Sequence, residues 1–350
     1  VKRSFLILLV ALLVSLPWWV GGVYYTNIAS QILIAALFAI SLNLLVGYAG
    51  LTSLGHAGYL GLSAYVSAWL MTHLGWGHMA SASTALAACA LTAAVFGVIA
   101  LRASGISFLM ITLALGQILW GIAYRWADVT GGDNGISGLT RPQPFGIDMG
   151  NERNFYFFTL LVFLLVWSAV AVWVRSPFGT TIRATRDQAR RMSALGYNVW
   201  LIRWITFTVS GLLGGVAGLM YVYYQQFISP HSLSLSNSAE MLLMVIAGGA
   251  GTLSGPVVGA VLVVLLKNVA SAYIDRWVML LGFVFILIVI FVPDGIVMGL
   301  TRWAQKMGRW RGAWSDKQAL ASDAVNGAAS SAASSSASRA DLPAVAKEQV

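Results

Sequence analysis

The sequence predicts an all-α, polytopic transmembrane helical bundle of about 8–10 spans, with broken or re-entrant helices and both termini on the cytoplasmic side. Three observations predict it. The chain has 350 residues, of which 58% are hydrophobic and only 9% charged, against roughly a quarter charged in soluble domains. Apolar runs recur near the ~20 residues with which a helix crosses a bilayer core. Strand-like alternation is absent, which selects helices over a barrel.

Taken in order, the chain starts Val1-Lys2-Arg3 and turns apolar at Ser4. No small-x-small cleavage site precedes Pro17-Trp18-Trp19. Residues 1–27 are therefore expected to hold a retained helix, Ser4–Val23, with the Trp pair at the outer interface. Further spans are expected at Ile28–Val46, Ala57–Leu74, Ser81–Leu101, Gly105–Tyr124, Phe155–Val174 and Trp200–Tyr223, then at Ala239–Ala250, Pro256–Ala270 and Trp277–Val292. Together 28–300 form the expected transmembrane domain, and 301–350 a basic, Ala/Ser-rich cytoplasmic tail too poor in apolar surface to fold.

Two glycine-rich segments interrupt the apolar pattern. One runs from Gly47 to Gly58; the other, Gly248 to Gly255, separates two segments too short to cross easily alone. A broken or re-entrant pair and two plain spans both fit the second, and the two breaks hint at related halves. Gly211, Gly214, Gly215 and Gly218 put small residues on neighbouring faces of one helix, which reads as close packing.

Orientation follows from the 21 Lys and Arg residues: thirteen fall on one side of a ten-span arrangement, five on the other, and three in the tail. The richer side, holding Arg175, Arg183, Arg186, Arg190 and Arg191, is expected to be cytoplasmic. Trp126–Asn154 is then an outer loop and 176–199 a cytoplasmic one. The net charge of +9 has this origin and does not indicate nucleic acid.

Catalytic motifs are absent from the sequence. No lysine is followed by Ser or Thr, so the phosphate-cradling loop of an ATPase is missing. Cys89 is the single cysteine, and His56, His73, His78 and His231 are scattered, so neither a metal cluster nor a catalytic constellation is expected. Charges near spans are few. Glu240, Lys267, Arg125 and Asp294 sit at boundaries, where they can snorkel or cap a helix. A carboxylate relay for proton coupling is not evident, which favours energy supplied by another subunit. Ser41, Asn43, Thr112, Gln117, Ser210 and Asn237 read first as interhelical hydrogen-bonding groups, and second as a weakly polar path. The candidate path comprises Asn43, Gly47, Gly50, Thr112, Gln117, Gly248, Gly249 and Gly251.

The basic loop is the most informative segment. Asp187 to Leu195 holds good helix formers, and Gly196 supplies a stop. Such a helix can dock on a partner; it can equally be a solvated loop that only sets topology. Here a resemblance enters. Asn43-Leu44-Leu45-Val46-Gly47-Tyr48-Ala49-Gly50 through Gly55-His56-Ala57, Thr112 to Ile118, Thr130 to Gly138, Ser176-Pro177-Phe178-Gly179 and Gly248 to Pro256 occur in one order. In that order they resemble the branched-chain amino acid ABC transporter permease family, LivM type, from about residue 30 to 300.

The resemblance implies an ATP-driven importer subunit in the bacterial inner membrane that is not itself an enzyme and binds no cofactor. Its partners would be a second, LivH-like permease, two ABC ATPases that use the ATP, and an extracytoplasmic solute-binding protein. Arg183, Arg186, Asp187, Arg190, Leu195 and Gly196 fall in the stretch that matches the family's ATPase coupling helix. Ala189 stands where the family commonly has Glu, and Arg191 where a small Ala is usual. Thr130 to Gly138 would face the binding protein. Urea, short amides or another small solute remain open as cargo, as does a stand-alone channel or secondary carrier.

Overall fold

The computed structural model describes residues 13–15, 17, 22–143, 148–273, 277–291, 295–297 and 299. Most of the expected first helix, and the expected tail after 300, lie outside the described residues. The chain divides into Val1–Met298 and Gly299–Val350, and every element below belongs to the first unit.

Helix α1, Val23–Asn43, continues through a π-helical turn, Leu44–Ala49, into Gly50 at φ +69°. After the non-helical stretch 51–56 come α2 (Ala57–His73), α3 (His78–Ala100) and α4 (Ile106–Arg125). A short helix α5 (Ala127–Thr130), a 3-10 turn (Gly132–Asn134) and strand β1 (Ile136–Ser137) lead toward α6 (Glu152–Arg175). Two surface helices follow, α7 (Pro177–Asp187) and α8 (Ala189–Ala194). Then come α9 (Val199–Gln225), β2 (Phe227–Ile228), a 3-10 turn (Pro230–Leu233), α10 (Leu235–Gly248), α11 (Gly255–Tyr273) and α12 (Trp277–Phe291).

The helix starts are legible as chemistry. Asn151, Ser176, Asn198 and Ser234 each accept a hydrogen bond from a first-turn N–H, which satisfies one of the orphan donors at a helix N-terminus. Among the described residues six helices are long and apolar enough to cross a membrane, counting 23–49 as one. Each span expected between Ile28 and Val292 coincides with a helix.

The bundle is organised around α1, which packs against α6, α9, α10 and α11. From Leu33 to Asn43 every residue of it is buried, whereas α3 is mostly turned outward. A helix apolar on all faces is either buried in protein or bathed in lipid, and these two represent the two cases. Helix α9 packs on α1, α2 and α3, with its glycine ridge making the contact. A Cβ at Gly211 would strike Ala93, one at Gly215 would strike Cys89, and one at Gly218 would strike the Leu60 carbonyl. Ser63 Oγ donates to the Gly215 carbonyl at 2.8 Å across the same seam. Close helix approach is what small residues allow in membrane bundles.

Helices α10 and α11 form a tight antiparallel pair around the turn 249–254. With 14 residues α10 is only ~21 Å long, shorter than a ~30 Å bilayer core. Helix α11, with 19 residues, is long enough to cross, so only one member of the pair is short. Strands β1 and β2 pair antiparallel, Ile136 with Ile228 and Ser137 with Phe227. They strap the loop after α4 to the end of α9, and Thr130 Oγ1 holds the loop's start by donating to the Ala123 carbonyl at 2.7 Å. Residues 127–138 are therefore a folded structure rather than a slack connection.

Candidate functional site

The basic loop is not the single helix expected from Asp187 to Leu195. It starts earlier, at Pro177, with Ser176 Oγ accepting from Gly179 N–H and proline at the first position, where its missing N–H costs nothing. It breaks at Gln188 (φ −147°, ψ 78°) and resumes as α8. Gly196, at φ +88°, stops it as expected. The sequence does not mark the break, because Gln188 is an ordinary helix former.

Helix α7 lies on the turn end of α1. Its inward face carries Gly179, Ile182 and Thr185, all buried. Arg183 donates to the Val174 carbonyl at 2.8 Å and lies 5.9 Å from the centroid of the Tyr48 ring. Arg186 donates through Nη1 to the Gly47 carbonyl at 2.6 Å and through Nε to Asp187 at 2.9 Å. The π-helical turn frees carbonyls that a regular α-helix would use internally, a feature frequent at functional positions.

The two glycine breaks meet at that point. Asn43, 1% exposed, uses both ends of its amide. Its Nδ2 donates to the Thr252 carbonyl at 2.9 Å and its Oδ1 accepts from Gly251 N–H at 2.9 Å. A Cβ on Gly47 would overlap the Gly251 backbone, and one on Gly50 would lie 2.6 Å from Arg186 Cγ. Gly50 and Gly251 also adopt φ +69° and +82°, which glycine alone accepts readily. Asn43, Gly47, Gly50, Gly251 and Arg186 thus form one clasp joining α1, the 249–254 turn and α7. Gly248 and Gly249 end α10 beside it, where a Cβ on Gly248 would strike the Gly255 carbonyl.

The clasp is close-packed. Thr112 stands elsewhere. It accepts from Leu54 N–H at 3.4 Å and donates to the Leu109 carbonyl at 2.9 Å, fixing the non-helical stretch before α2. Gln117 lines a different, shallow groove with Trp120, Asp133 and His231. Asp187, Arg190, Leu195 and Gly196 face outward, with Leu195 73% exposed.

Deeper in the bundle the start of α2 is held by buried polar groups. His56 Nε2 lies 2.9 Å from Ser41 Oγ, Ser210 Oγ donates to the Ser41 carbonyl at 2.5 Å, and Ala57 N–H donates to Ser238 Oγ at 3.1 Å. Ser41 and Ser210 therefore act as the interhelical hydrogen-bonding groups that the sequence suggested. In the non-helical stretch 51–56, Leu51, Ser53, Gly55 and His56 are buried in protein, whereas Thr52 is exposed.

The sequence places Glu240 and Lys267 at span boundaries, where each can snorkel or cap a helix; the structure pairs them across α10 and α11 at 3.3 Å. The only available signal was that they are opposite charges in two consecutive apolar segments. Among the described residues no group of three or more His, Cys, Asp or Glu side chains is placed to hold a metal ion.

A family model described as "Branched-chain amino acid transport system / permease component" matches residues 24–291. The chain is 27% identical over 321 residues to the high-affinity branched-chain amino acid transport system permease protein LivM of Salmonella typhimurium, covering 85% of this chain and 75% of that one. It is 27% identical over 319 residues to LivM of Escherichia coli K12, with the same coverage. The permease protein LivH of the same E. coli strain is 24% identical over 140 residues, 39% of this chain and 45% of that one. No solved structure matches the chain.

Proposed function

The chain belongs to the branched-chain amino acid transport permease family, and from that premise we propose that it imports branched-chain or related amino acids as one of two permease subunits of an ATP-driven ABC transporter. Membership makes it a multi-pass membrane permease. The proposal adds the cargo, the bacterial inner membrane as location, two separate ATPases that hydrolyse the ATP, an external binding protein that delivers the solute, and a non-catalytic role for this chain.

One observation carries the coupling mechanism: the Arg186 guanidinium on the Gly47 carbonyl, at 2.6 Å. A ligand shifts a protein between states only through differential contact with them. ATP closure of the partner subunits needs a rigid lever that reaches the membrane helices. Helix α7 supplies it, being bonded to the one point where α1 and the α10–α11 turn are clasped. Helix α8 presents Arg190, Arg191 and Leu195 on the far side of the Gln188 break, where an ATPase would dock. The positive-inside bias makes that face cytoplasmic. In this reading the folded 130–138 segment lies at the outer face, near the binding protein.

The test is biochemical. Purified from its native membrane in mild detergent, the chain is expected to bring with it a second permease and two ATPases. Proteoliposomes holding that complex are expected to accumulate leucine only with ATP inside and binding protein outside. Recovery of the chain alone, with uptake indifferent to ATP depletion, would overturn the proposal in favour of a stand-alone carrier.

A further inference from the structure

A cavity of about 210 Å³ lies inside the bundle, between α1, α9, α10 and α11 and apart from the clasp. Glu240 and Lys267 line it, with Lys267 Nζ 3.3 Å from each carboxylate oxygen. The Glu240 side chain is 15% exposed and that of Lys267 42%. Gln31 of α1 donates to the Tyr224 hydroxyl at 3.0 Å and accepts from Asn268 Nδ2 at 3.3 Å, so three helices share one polar network at the cavity's edge. The remaining wall is apolar, formed by Phe38, Leu60, Met244 and Val264 among others.

An ionisable pair inside a membrane bundle is costly and marks a functional position by default. With the Lys267 side chain partly exposed, the pair contributes little to holding α10 on α11. Its chemistry suits something else. One fixed anion and one fixed cation stand side by side against an aliphatic and aromatic wall. A solute with an ammonium and a carboxylate on the same carbon, and a short apolar side chain, matches that pattern group for group. Entering between the two, its ammonium would donate to Glu240 and its carboxylate would accept from Lys267. Neither protein charge is then left without a partner, so the cost of opening the pair is offset as it arises.

We propose that this cavity is a solute site within the membrane domain, which receives a small aliphatic α-amino acid as a zwitterion during transport. The proposal rests on the amino-acid reading above and deepens it by naming the groups that recognise the cargo. The volume is below the roughly 300–1,000 Å³ of pockets that hold drug-sized ligands, which fits a single small solute. Neutral cargo such as urea or a short amide would break the ion pair and replace neither charge, so the site disfavours it.

The test uses the complex with its partner subunits, first without binding protein. Equilibrium dialysis with labelled L-leucine is expected to show saturable binding. Unlabelled leucine should displace the label. Isopentylamine, which lacks the carboxylate, and 4-methylpentanoate, which lacks the ammonium, should each compete about tenfold or more weakly, as expected for losing one charged hydrogen bond. This arm uses the unaltered chain and so does not depend on a variant folding. In the second arm, Glu240→Gln and Lys267→Gln should each reduce leucine uptake into proteoliposomes about tenfold or more, while binding-protein-stimulated ATP hydrolysis persists. Absence of saturable binding, equal competition by either singly charged analogue, or wild-type uptake by both variants would overturn the site. Unaltered complex that accumulates no leucine, isoleucine or valine would overturn the amino-acid reading itself, and the zwitterion assignment with it.

Discussion

Helices α7 and α8 are neighbours in one basic loop, yet they spend their residues in opposite directions. In α7, Arg183 and Arg186 both bond to backbone carbonyls of their own chain, and Gly179, Ile182 and Thr185 are buried. In α8 only Met192 is buried, and Arg190, Arg191 and Leu195 reach outward. Each carries two arginines, so the basic residues alone do not tell the two apart. The Gln188 break separates them, because it lets α8 choose its own face instead of continuing the register of α7. One helix is thus a handle fixed to the transporter, and the other a surface left for something else. Mutations in the handle should damage the permease from within. Mutations in the surface should leave it sound and change only its company.

The largest effect is expected where the handle grips. Asn43→Leu keeps the side-chain size but strands Gly251 N–H and the Thr252 carbonyl, both bonded to Asn43. A fully buried group left unpaired costs about 1–3 kcal/mol, and these two, half-buried, cost toward the lower end each. The variant should therefore lower the thermal unfolding midpoint of the detergent-solubilised complex and abolish uptake. Gly47→Val should do the same, since its Cβ would overlap the Gly251 backbone and overpacking costs about 1–3 kcal/mol. An unchanged melting profile in both would show that the clasp is not where the permease is held together.

A smaller and more specific effect is expected from Arg186→Glu combined with Asp187→Arg. This keeps a charge pair on the exposed side but removes the donor to the Gly47 carbonyl. Complex assembly should survive. Uptake per ATP hydrolysed should fall about tenfold, the loss expected for a hydrogen bond from a charged group. If transport stays coupled at the original ratio, α7 is not the lever. Restoring the contact with Arg186→Lys should recover only part of the coupling, because an ammonium has no planar fork to engage the carbonyl and Asp187 together.

Much of this comparison was legible beforehand, and the missing part has a physical cause. Hydropathy located α1 to α4, α6 and α9 to α12, because about twenty apolar residues have few alternatives to a span; the short α5, and the division of the basic loop into α7 and α8, carry no such mark. The glycine runs marked both breaks, since glycine in a helix interior is costly without a reason. Gly196 is readable as a stop, whereas the start at Ser176-Pro177 lies ten residues before the expected one at Asp187. That the two breaks touch each other was not readable. Asn43 and Gly251 are 208 positions apart, and a single buried asparagine carries no mark of its partner. The Glu240–Lys267 pair was missed for the same reason: each residue, taken alone, suits a helix end. Periodicity and local chemistry report what a segment becomes, whereas long-range polar pairing depends on how the segments stack.

The smallest effect is expected on the outward helix, where it decides the comparison most cleanly. Arg190→Glu with Arg191→Glu reverses two exposed charges that make no ion pair among the described residues. Folding, insertion and the melting midpoint of the isolated chain should not change, because surface substitutions away from specific contacts are nearly neutral. Recovery of the ATPases with the permease should fall, and should fall further at high salt, where the remaining attraction is screened. Leu195→Ala should weaken recovery about fivefold if that exposed leucine is an anchor worth about 1 kcal/mol in the partner's groove. Full recovery of the ATPases with both variants would leave α8 a solvated turn. The docking surface would then have to be sought on the exposed Thr180 and Arg186 side of α7.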